Sequence, residues 1–171
     1  NQNIAATGER PGSNFFTQRD RSQDVDQGDA RIDHRISDND SLFGSVSWSK
    51  ESKMQSPPLP GDLDAGGFLG EQEENLARNA MLSYTRIWSP TFITESRAAY
   101  TRLVTTRTQA NADTDSFSAL GFGGLNPFTT NNGGTPRLGP QGYSTVGGSE
   151  WLPTQEYNNV WDFIQNVSWN K

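Results

Sequence analysis

The sequence predicts an all-β fold, an antiparallel up-and-down meander, and three observations support it. Apolar and polar side chains alternate with period two in several segments, as they do in strands that separate two unlike environments. Tight turns alternate with long irregular connections along the chain. Only 32% of the 171 residues are hydrophobic, yet nine Phe, five Trp and four Tyr are present. The apolar material is therefore concentrated in a few places, and much of it is aromatic.

Composition and charge exclude several kinds of site and argue against one class of function. The formal net charge of -6 argues against a general nucleic-acid-binding protein, which carries a basic patch or stripe. The chain has no cysteine, which excludes a disulfide framework, a zinc-thiolate site and a thiol nucleophile. No apolar run reaches the ~18 residues of a membrane-spanning helix. Because the chain begins at Asn1 and ends at Lys171 within a strand-like run, we expect residues 1–171 to be an incomplete segment of one domain.

The first predicted hairpin has strands at 30–37 and 42–52. It is closed by the stretch Asp38-Asn39-Asp40-Ser41, whose side-chain oxygens can cap a turn. Both strands separate apolar from polar residues by strict alternation. The apolar members are Ile32, His34 and Ile36 with Leu42, Val46 and Trp48, and the polar members are Arg31, Asp33 and Arg35 with Ser45, Ser47 and Ser49.

A second hairpin is predicted from strands at 75–88 and 92–108, joined by Ser89-Pro90-Thr91. A helix over 75–88 is the alternative, because Leu76, Ala80 and Tyr84 also follow helical spacing. The Thr, Tyr, Trp and Ile content of the segment and its matching partner favour the strand. A fifth strand is predicted at 156–170, where ring-bearing and polar residues alternate again.

Three long segments, at 1–29, 53–74 and 109–155, are rich in polar residues, Gly and Pro and are predicted to be loops. In a meander, successive connections fall at opposite ends of the sheet, so 53–74 and 109–155 share one end and the tight turns share the other. Transmembrane β-barrels have this asymmetry. We therefore predict a partial transmembrane β-barrel, an open curved sheet with short turns at one end and long, loosely packed loops at the other.

The two faces of the predicted strands differ in chemistry. The apolar face carries aromatic side chains near strand ends, as in the girdles of membrane barrels, and we predict that these face lipid: Trp48, Tyr84, Trp88, Tyr100, Trp161 and Trp169. The polar face carries charges that a dry core accepts only in paired form, and we predict that these line a watery lumen: Arg31, Asp33, Arg35, Glu95, Arg97 and Asp162. They either pair across strands and contact a plug, or steer a substrate. Arg86 and Arg102 share the apolar face, so we expect them near the membrane surfaces.

The sequence contains no catalytic constellation, and we predict no enzyme activity, no cofactor and no metal site. His34 is the only histidine, and a structural role on the apolar face is favoured. Two groups of aspartates offer the oxygen ligands that Ca²⁺ takes: Asp24, Asp26 and Asp29, and Asp38 with Asp40. Neither group has EF-hand spacing, so turn and capping roles are favoured.

The stretch "DVDQGDARIDHRISDNDSLFGSVSWS" resembles a barrel segment of the Oar-like TonB-dependent outer-membrane transporters. The matching residues are Asp26, Gln27, Asp29, Arg31, Ile32, Asp33, His34, Ile36, Ser37, Asp40, Leu42, Phe43 and Ser47. Two further stretches are similar to strands of that family: "FITESRAAYTR", with Glu95, Arg97 and Tyr100, and "WDFIQNVSWNK", with Ser168 and Trp169. The chain departs from the family pattern at Gly28, where a bulky aromatic is usual, and at Ser45, where arginine is common.

The resemblance implies a barrel of about 22 strands that is closed by an N-terminal plug and energised from the inner membrane through TonB. This chain would supply about five of those strands and act in the uptake of a bulky solute at the bacterial outer membrane. The implied partners are outer-membrane lipid, the plug, the remaining strands, the TonB system and the solute. The alternatives are a soluble or surface-attached β-sheet binding module, for example for glycans, and an adhesion or secretion role for the same barrel.

Overall fold

The computed structural model describes residues 2–3, 15–16, 18–57, 59, 71–121, 133–142 and 145–171. The elements in these residues are strands β1 (Gln2–Asn3), β2 (Phe15–Phe16), β3 (Arg21–Arg35), β4 (Asp40–Gln55), β5 (Glu71–Ser89) and β6 (Phe92–Gln109), a short helix α1 (Ser116–Ala119), and strand β7 (Thr154–Trp169). Strands β1 and β2 form a small antiparallel sheet. Strands β3 to β7 form a second sheet, in which every strand pairs with its neighbours in the chain.

The five-stranded sheet is the predicted antiparallel meander. Its connections are short at 36–39 and 90–91 and long at 56–70 and 110–153, so the tight turns share one end of the sheet, as predicted. The helical alternative for 75–88 is wrong, because these residues belong to β5. A partner strand on each side satisfies its backbone hydrogen bonds, which outweighs the helical spacing of three apolar residues.

Strand β3 begins at Arg21 rather than at residue 30, so part of the predicted loop 1–29 is strand. Short strands β1 and β2 also fall within that predicted loop. The polar residues at the start of β3 give no apolar alternation, but β4 is long enough to pair with them. Beyond these strands, the backbone N–H of Ser56 donates to the carbonyl of Asp20 at 3.0 Å. The other four strands of the sheet differ from the predicted bounds by at most four residues at either end.

Side-chain oxygens close both tight turns, as their composition predicts. In the first, the Ser37 hydroxyl donates to Asp40 Oδ2 at 2.7 Å. The backbone N–H of Asn39 donates to Ser37 Oγ at 3.1 Å. In the second, the backbone N–H of Thr91 donates to Ser89 Oγ at 3.3 Å. These local bonds help to close both hairpins at their turns.

The chain divides into two compact units, each described by itself. The first comprises Asn1–Asp24, Ser52–Glu73 and Thr106–Thr154, and the second comprises Val25–Glu51, Glu74–Thr105 and Gln155–Lys171. Two described parts of the first unit, 109–121 and 133–142, belong to the segment that the sequence predicts as loose loop.

These parts of the long loop are packed rather than loose. The Asn111 side-chain amide donates to Ser116 Oγ at 3.4 Å and to Thr135 Oγ1 at 3.1 Å. Ser116 and Thr135 are both fully buried. Backbone N–H groups of Gly133 and Gly134 also donate to carbonyls of the 112–114 segment, each at 2.8 Å. Polar side chains and backbone therefore form the interior of this loop.

Asp115 caps helix α1 in the same loop. Its carboxylate accepts from the Ser118 hydroxyl at 2.7 Å and from the Ser118 backbone N–H at 3.2 Å. Both donors favour the charged carboxylate, the hydroxyl most, so the pKa of Asp115 lies below its ordinary value.

The second unit holds both tight turns and the central parts of β3 to β7. Side chains alternate between its two faces. We call the apolar face the one that carries Ala30, Gly44, Leu82, Ala98 and Trp161, which line one shallow depression. The polar face is the opposite one; it carries the odd-numbered residues of β3 to β6 and the even-numbered residues of β7.

Gly28 is a position where the apolar face requires glycine. A Cβ added there would lie 2.7 Å from the indole Nε1 of Trp48 on the neighbouring strand. The family that the sequence resembles usually carries an aromatic at this position. Here the Trp48 ring of β4 occupies the space next to Gly28 that a side chain at this position would enter. The neighbouring strand therefore supplies the ring that position 28 lacks.

We expect Gly28→Ala to push the Trp48 ring off its preferred rotamer, at a cost of about 1 kcal/mol. In protein labelled with 5-fluorotryptophan, the ¹⁹F resonance of Trp48, assigned with Trp48→Phe, should shift. The control is Gly44→Ala on the same face, where an added Cβ would meet only ordinary contacts at 3.7 Å and beyond. Equal spectra for the two variants would contradict the close approach of Gly28 and Trp48.

Candidate functional site

The polar face centres on the carboxylate of Glu95 in β6. This carboxylate accepts hydrogen bonds from three directions: the Ser83 hydroxyl at 3.1 Å, Arg97 Nη2 at 2.6 Å and the Asn166 amide at 3.1 Å. Ser83 lies on β5 and Asn166 on β7, so Glu95 connects both neighbours of its own strand. The sequence predicts Glu95 and Arg97 on this face, but not the roles of Ser83 and Asn166.

Amide and hydroxyl groups continue the polar network along β5 and β6. The Asn79 amide donates to Thr101 Oγ1 at 2.7 Å. The Thr105 hydroxyl donates to Asn75 Oδ1 at 2.7 Å, and the Asn75 amide donates to Glu51 Oε2 at 3.0 Å. The sequence does not predict the roles of these residues, because an uncharged polar side chain in a strand does not by itself indicate a hydrogen-bond partner. Their spacing of four along β5 on the polar side was the available clue.

The predicted charged residues on β3 pair within their own strand or its turn. Arg31 and Asp33 form a two-pronged ion pair, with contacts of 2.9 and 2.7 Å. Arg35 Nη2 contacts Asp38 Oδ1 at 3.0 Å. Arg97 likewise pairs with Glu95, two residues away. The expected cross-strand ion pairs among these residues are therefore wrong, since residues i and i+2 share a face and a long arginine side chain spans the gap.

Asp162 also lies on the polar face, because it has the same parity as Asn166 on β7. In the described part of the chain, the Asp162 side chain has no hydrogen bond and no ion pair. It is the one predicted polar-face residue that these contacts do not join to another side chain.

A cluster of three charges lies in the first unit. Glu73 contacts Lys53 Nζ at 3.3 Å through one oxygen and Arg107 Nε at 2.8 Å through the other. The Glu73 side chain is only 14% exposed, so the two cations compensate its loss of hydration. The sequence does not predict this cluster, because Lys53 and Glu73 fall in a predicted loop.

The six predicted aromatic residues all fall on the apolar face. Contacts support the placement: the rings of Tyr100 and Trp161 lie 4.4 Å apart, and Trp161 stacks on Phe163 with centroids 6.4 Å apart. Tyr84 donates to Asp40 on β4 at 2.5 Å. Trp48 lies over Gly28. Trp88 and Trp169 follow by alternation on β5 and β7.

The two arginines of the apolar face are held by aromatic or acidic neighbours. Arg86 lies over the Trp88 ring at 4.1 Å and reaches Asp40 Oδ1 at 3.8 Å. Arg102 lies over the Tyr157 ring at 5.4 Å. Arg86 lies three residues before the end of β5, and Arg102 lies seven residues before the end of β6.

Among the described residues, no three His, Asp, Glu or Cys side chains come together as metal ligands. Asp38 and Asp40 are one of the two groups of candidate calcium ligands. The Asp38 carboxylate accepts from Arg35, and the Asp40 carboxylate accepts from Ser37 and Tyr84. None of the helical residues that the structure describes form a segment long and apolar enough to cross a membrane.

The second unit buries its polar face more than its apolar face. On the polar face, Ser83 is 1% exposed and Thr105 is 8% exposed. On the apolar face of the inner strands, Val46, Leu82 and Trp88 are 55%, 52% and 57% exposed. Water-soluble domains bury such residues, and large exposed apolar patches mark contact with another surface or a membrane. The sheet therefore has the inside-out distribution of a membrane barrel wall.

A comparison with protein families agrees with this distribution. Residues 1–171 match the family described as Outer membrane beta barrel domain. The chain belongs to this family. As an outer membrane β-barrel domain it is located in the bacterial outer membrane and associates with membrane lipid. Domains of this family are typically not enzymes. Comparisons with the curated proteins and with the solved structures found no match.

Membership in this family replaces the soluble alternative that the sequence left open. A soluble sheet would cover Trp48 and Trp161 with a second apolar layer. In the second unit their exposed fractions are 51% and 65%.

We expect Glu95→Gln to destabilise the folded domain more than Asp162→Asn does. Both changes remove one negative charge from the polar face, but Glu95 accepts bonds from three side chains and Asp162 accepts none in the described chain. The measurement is the urea concentration at which half of the domain in detergent is unfolded. Unfolding is detected by the shift in electrophoretic mobility. A midpoint equally low for both variants would show that the Glu95 contacts add nothing beyond charge.

Proposed function

We propose that this chain is part of the barrel wall of a TonB-dependent outer-membrane transporter that takes up a bulky solute. In this proposal the chain is an incomplete segment of the barrel, and further strands and an N-terminal plug complete it. The apolar face is turned to lipid and the polar face to the watery lumen. The two long connections lie on the cell surface.

The inside-out burial of the sheet is the observation that carries the proposal. A lumen tolerates a face of charges and amides, because water and cross-strand bonds satisfy them. Lipid tolerates exposed rings. The contrast between Leu82 at 52% exposure and Ser83 at 1% exposure, neighbours on β5, supports this orientation.

The TonB-dependent subtype draws its support from the resemblance over 26–47. Residues of that stretch also form one connected hairpin. Arg31 pairs with Asp33 and lies 4.1 Å over the Phe43 ring of the next strand. Ser37 and Asp40 close the turn. Five of the thirteen residues that carry the resemblance are thus in contact with one another in this hairpin.

Arg31, Asp33, Arg35, Glu95, Arg97 and Asp162 are the proposed lumen residues. Most of them are held in pairs, so their proposed role is to keep the lumen wall charged and rigid where a plug contacts it. Asp162 lacks such a partner in the described chain and is the proposed residue for direct contact with solute or plug.

An uptake experiment tests the transporter proposal. Cells that express the full protein should accumulate its solute only while the inner membrane is energised. An uncoupler, or deletion of TonB, should reduce accumulation to the level of cells without the protein. Surface binding at 4 °C should persist, because binding does not need energy.

Three outcomes would contradict the proposal. Uptake that is insensitive to the uncoupler would indicate a passive pore. Binding without accumulation would indicate an adhesin. Release of a protein from the cell only when the barrel is present would indicate secretion.

A charge-reversal series tests the role of the lumen charges. Arg97→Glu places a second carboxylate beside Glu95 and should reduce uptake several-fold through repulsion. The exchanged pair Glu95→Arg with Arg97→Glu keeps an ion pair on the same face and should recover most of the uptake. The amount of folded protein in the outer membrane is measured for each variant. Normal uptake by folded Arg97→Glu would remove Arg97 from the proposed lumen wall.

A further inference from the structure

Two arginines share a recess on the apolar face. Arg78 on β5 and Arg102 on β6 line it together with Leu76 and Val104, and its volume is about 330 Å³. Both side chains are exposed. All four residues belong to the second unit and lie toward the long connections.

Neither arginine has a carboxylate partner in the described chain. Five other basic side chains of the second unit each contact a carboxylate: Arg31, Arg35, Lys50, Arg86 and Arg97. The acidic residue of β5 nearest to Arg78 on the same face, Glu74, is already held by Lys50 at 2.8 Å. Two like charges in one recess repel each other unless an anion lies between them.

The apolar face between its charged margins has the length of a membrane crossing. On β5, seven residues, among them Ala80, Leu82 and Tyr84, lie between Arg78 and Arg86. A tilted membrane strand uses about 9–11, and the long arginine side chains extend the span by reaching toward the membrane surfaces. Arg86 therefore marks one membrane surface and Arg78 the other. With the long connections outside the cell, Arg78 and Arg102 stand at the level of the outer-leaflet headgroups.

An apolar depression adjoins the two arginines. It is about 540 Å³ in volume, and its lining includes Ala80 and Tyr100, which are the next residues on this face after Arg78 and Arg102. Small side chains form its floor, such as Ala30 and Gly44. Its shape and chemistry fit a hydrocarbon chain that continues from a headgroup bound at the arginines.

We propose that this surface binds a lipid whose phosphate headgroup carries a net negative charge, with the phosphate between Arg78 and Arg102 and an acyl chain in the apolar depression. Arginine suits this role because its planar fork binds phosphate oxygens through two parallel hydrogen bonds. Tyr157, with its ring 5.4 Å from the Arg102 guanidinium, holds that side chain in place. The inference rests on one part of the proposed function, that the long connections lie outside the cell.

Native mass spectrometry of the full protein in detergent tests the proposal. Delipidated protein is titrated separately with bisphosphorylated lipid A, phosphatidylglycerol, phosphatidylcholine and inorganic phosphate. We expect the phosphate-bearing anionic lipids to bind, and phosphatidylcholine and inorganic phosphate to bind at least tenfold more weakly. Preference for lipid A over phosphatidylglycerol would identify the glycolipid as the ligand, and the reverse preference would identify a glycerophospholipid.

The double variant Arg78→Gln with Arg102→Gln should weaken anionic lipid binding about a hundredfold or more, since each arginine loses at least one charged hydrogen bond and each such bond counts for about a factor of ten. The matched control is Arg31→Gln with Arg35→Gln, which removes the same charge from the polar face and should leave lipid binding unchanged. If the first variant does not fold, Arg78→Lys with Arg102→Lys keeps the charge, loses the fork and should weaken binding by a smaller factor.

Equal lipid binding by wild type and Arg78→Gln with Arg102→Gln would overturn the proposal. So would equal loss in the control pair, or inorganic phosphate binding as tightly as lipid. The assay uses neither solute nor TonB, so its result is independent of whether the barrel transports. Failure of energised uptake with arginine-dependent lipid binding would reject the proposed function and keep this inference.

Discussion

A strand that crosses a membrane must place all its backbone hydrogen bonds on neighbouring strands, because hydrocarbon offers no other partner. Its side chains must then be apolar on the face toward lipid and polar on the face toward water. The five-stranded sheet meets this constraint in its three inner strands, which have partners on both sides. The inversion of burial, with Ser83 covered and Leu82 half-exposed on the same inner strand, follows from the same constraint, since each face is suited to a different solvent.

The period-two alternation and the turn residues were sufficient to predict the meander and the assignment of residues to faces. Both signals are local, so one sequence reveals them. The start of β3 was missed because its residues are polar on both faces, and only the length of the neighbouring β4 shows that they pair. The helical spacing in 75–88 was a false signal that tertiary pairing overrides.

The candidate site was predicted in its charges but not in its connections. Glu95 and Arg97 were placed on the polar face, whereas the bonds from Ser83 and Asn166 to Glu95 depend on strand register, which the sequence does not specify. The pairing of Arg31 with Asp33 along one strand was also missed, because the sequence analysis considered only neighbours across strands. The packed loop around Asn111 depends on contacts between residues up to 24 positions apart, which composition alone does not show.

The turn residues of the first hairpin also bind the third strand of the sheet. The Ile87 backbone N–H donates to the carbonyl of Asn39 at 2.8 Å, and Tyr84 donates to Asp40 at 2.5 Å. These two bonds fix the alignment of β4 against β5 at the end of the sheet that holds the tight turns. A slip of one position would turn every side chain of β4 to the opposite face, exchanging Trp48 with its serine neighbours. One short turn thereby fixes which side chains of β4 lie on each face of the sheet.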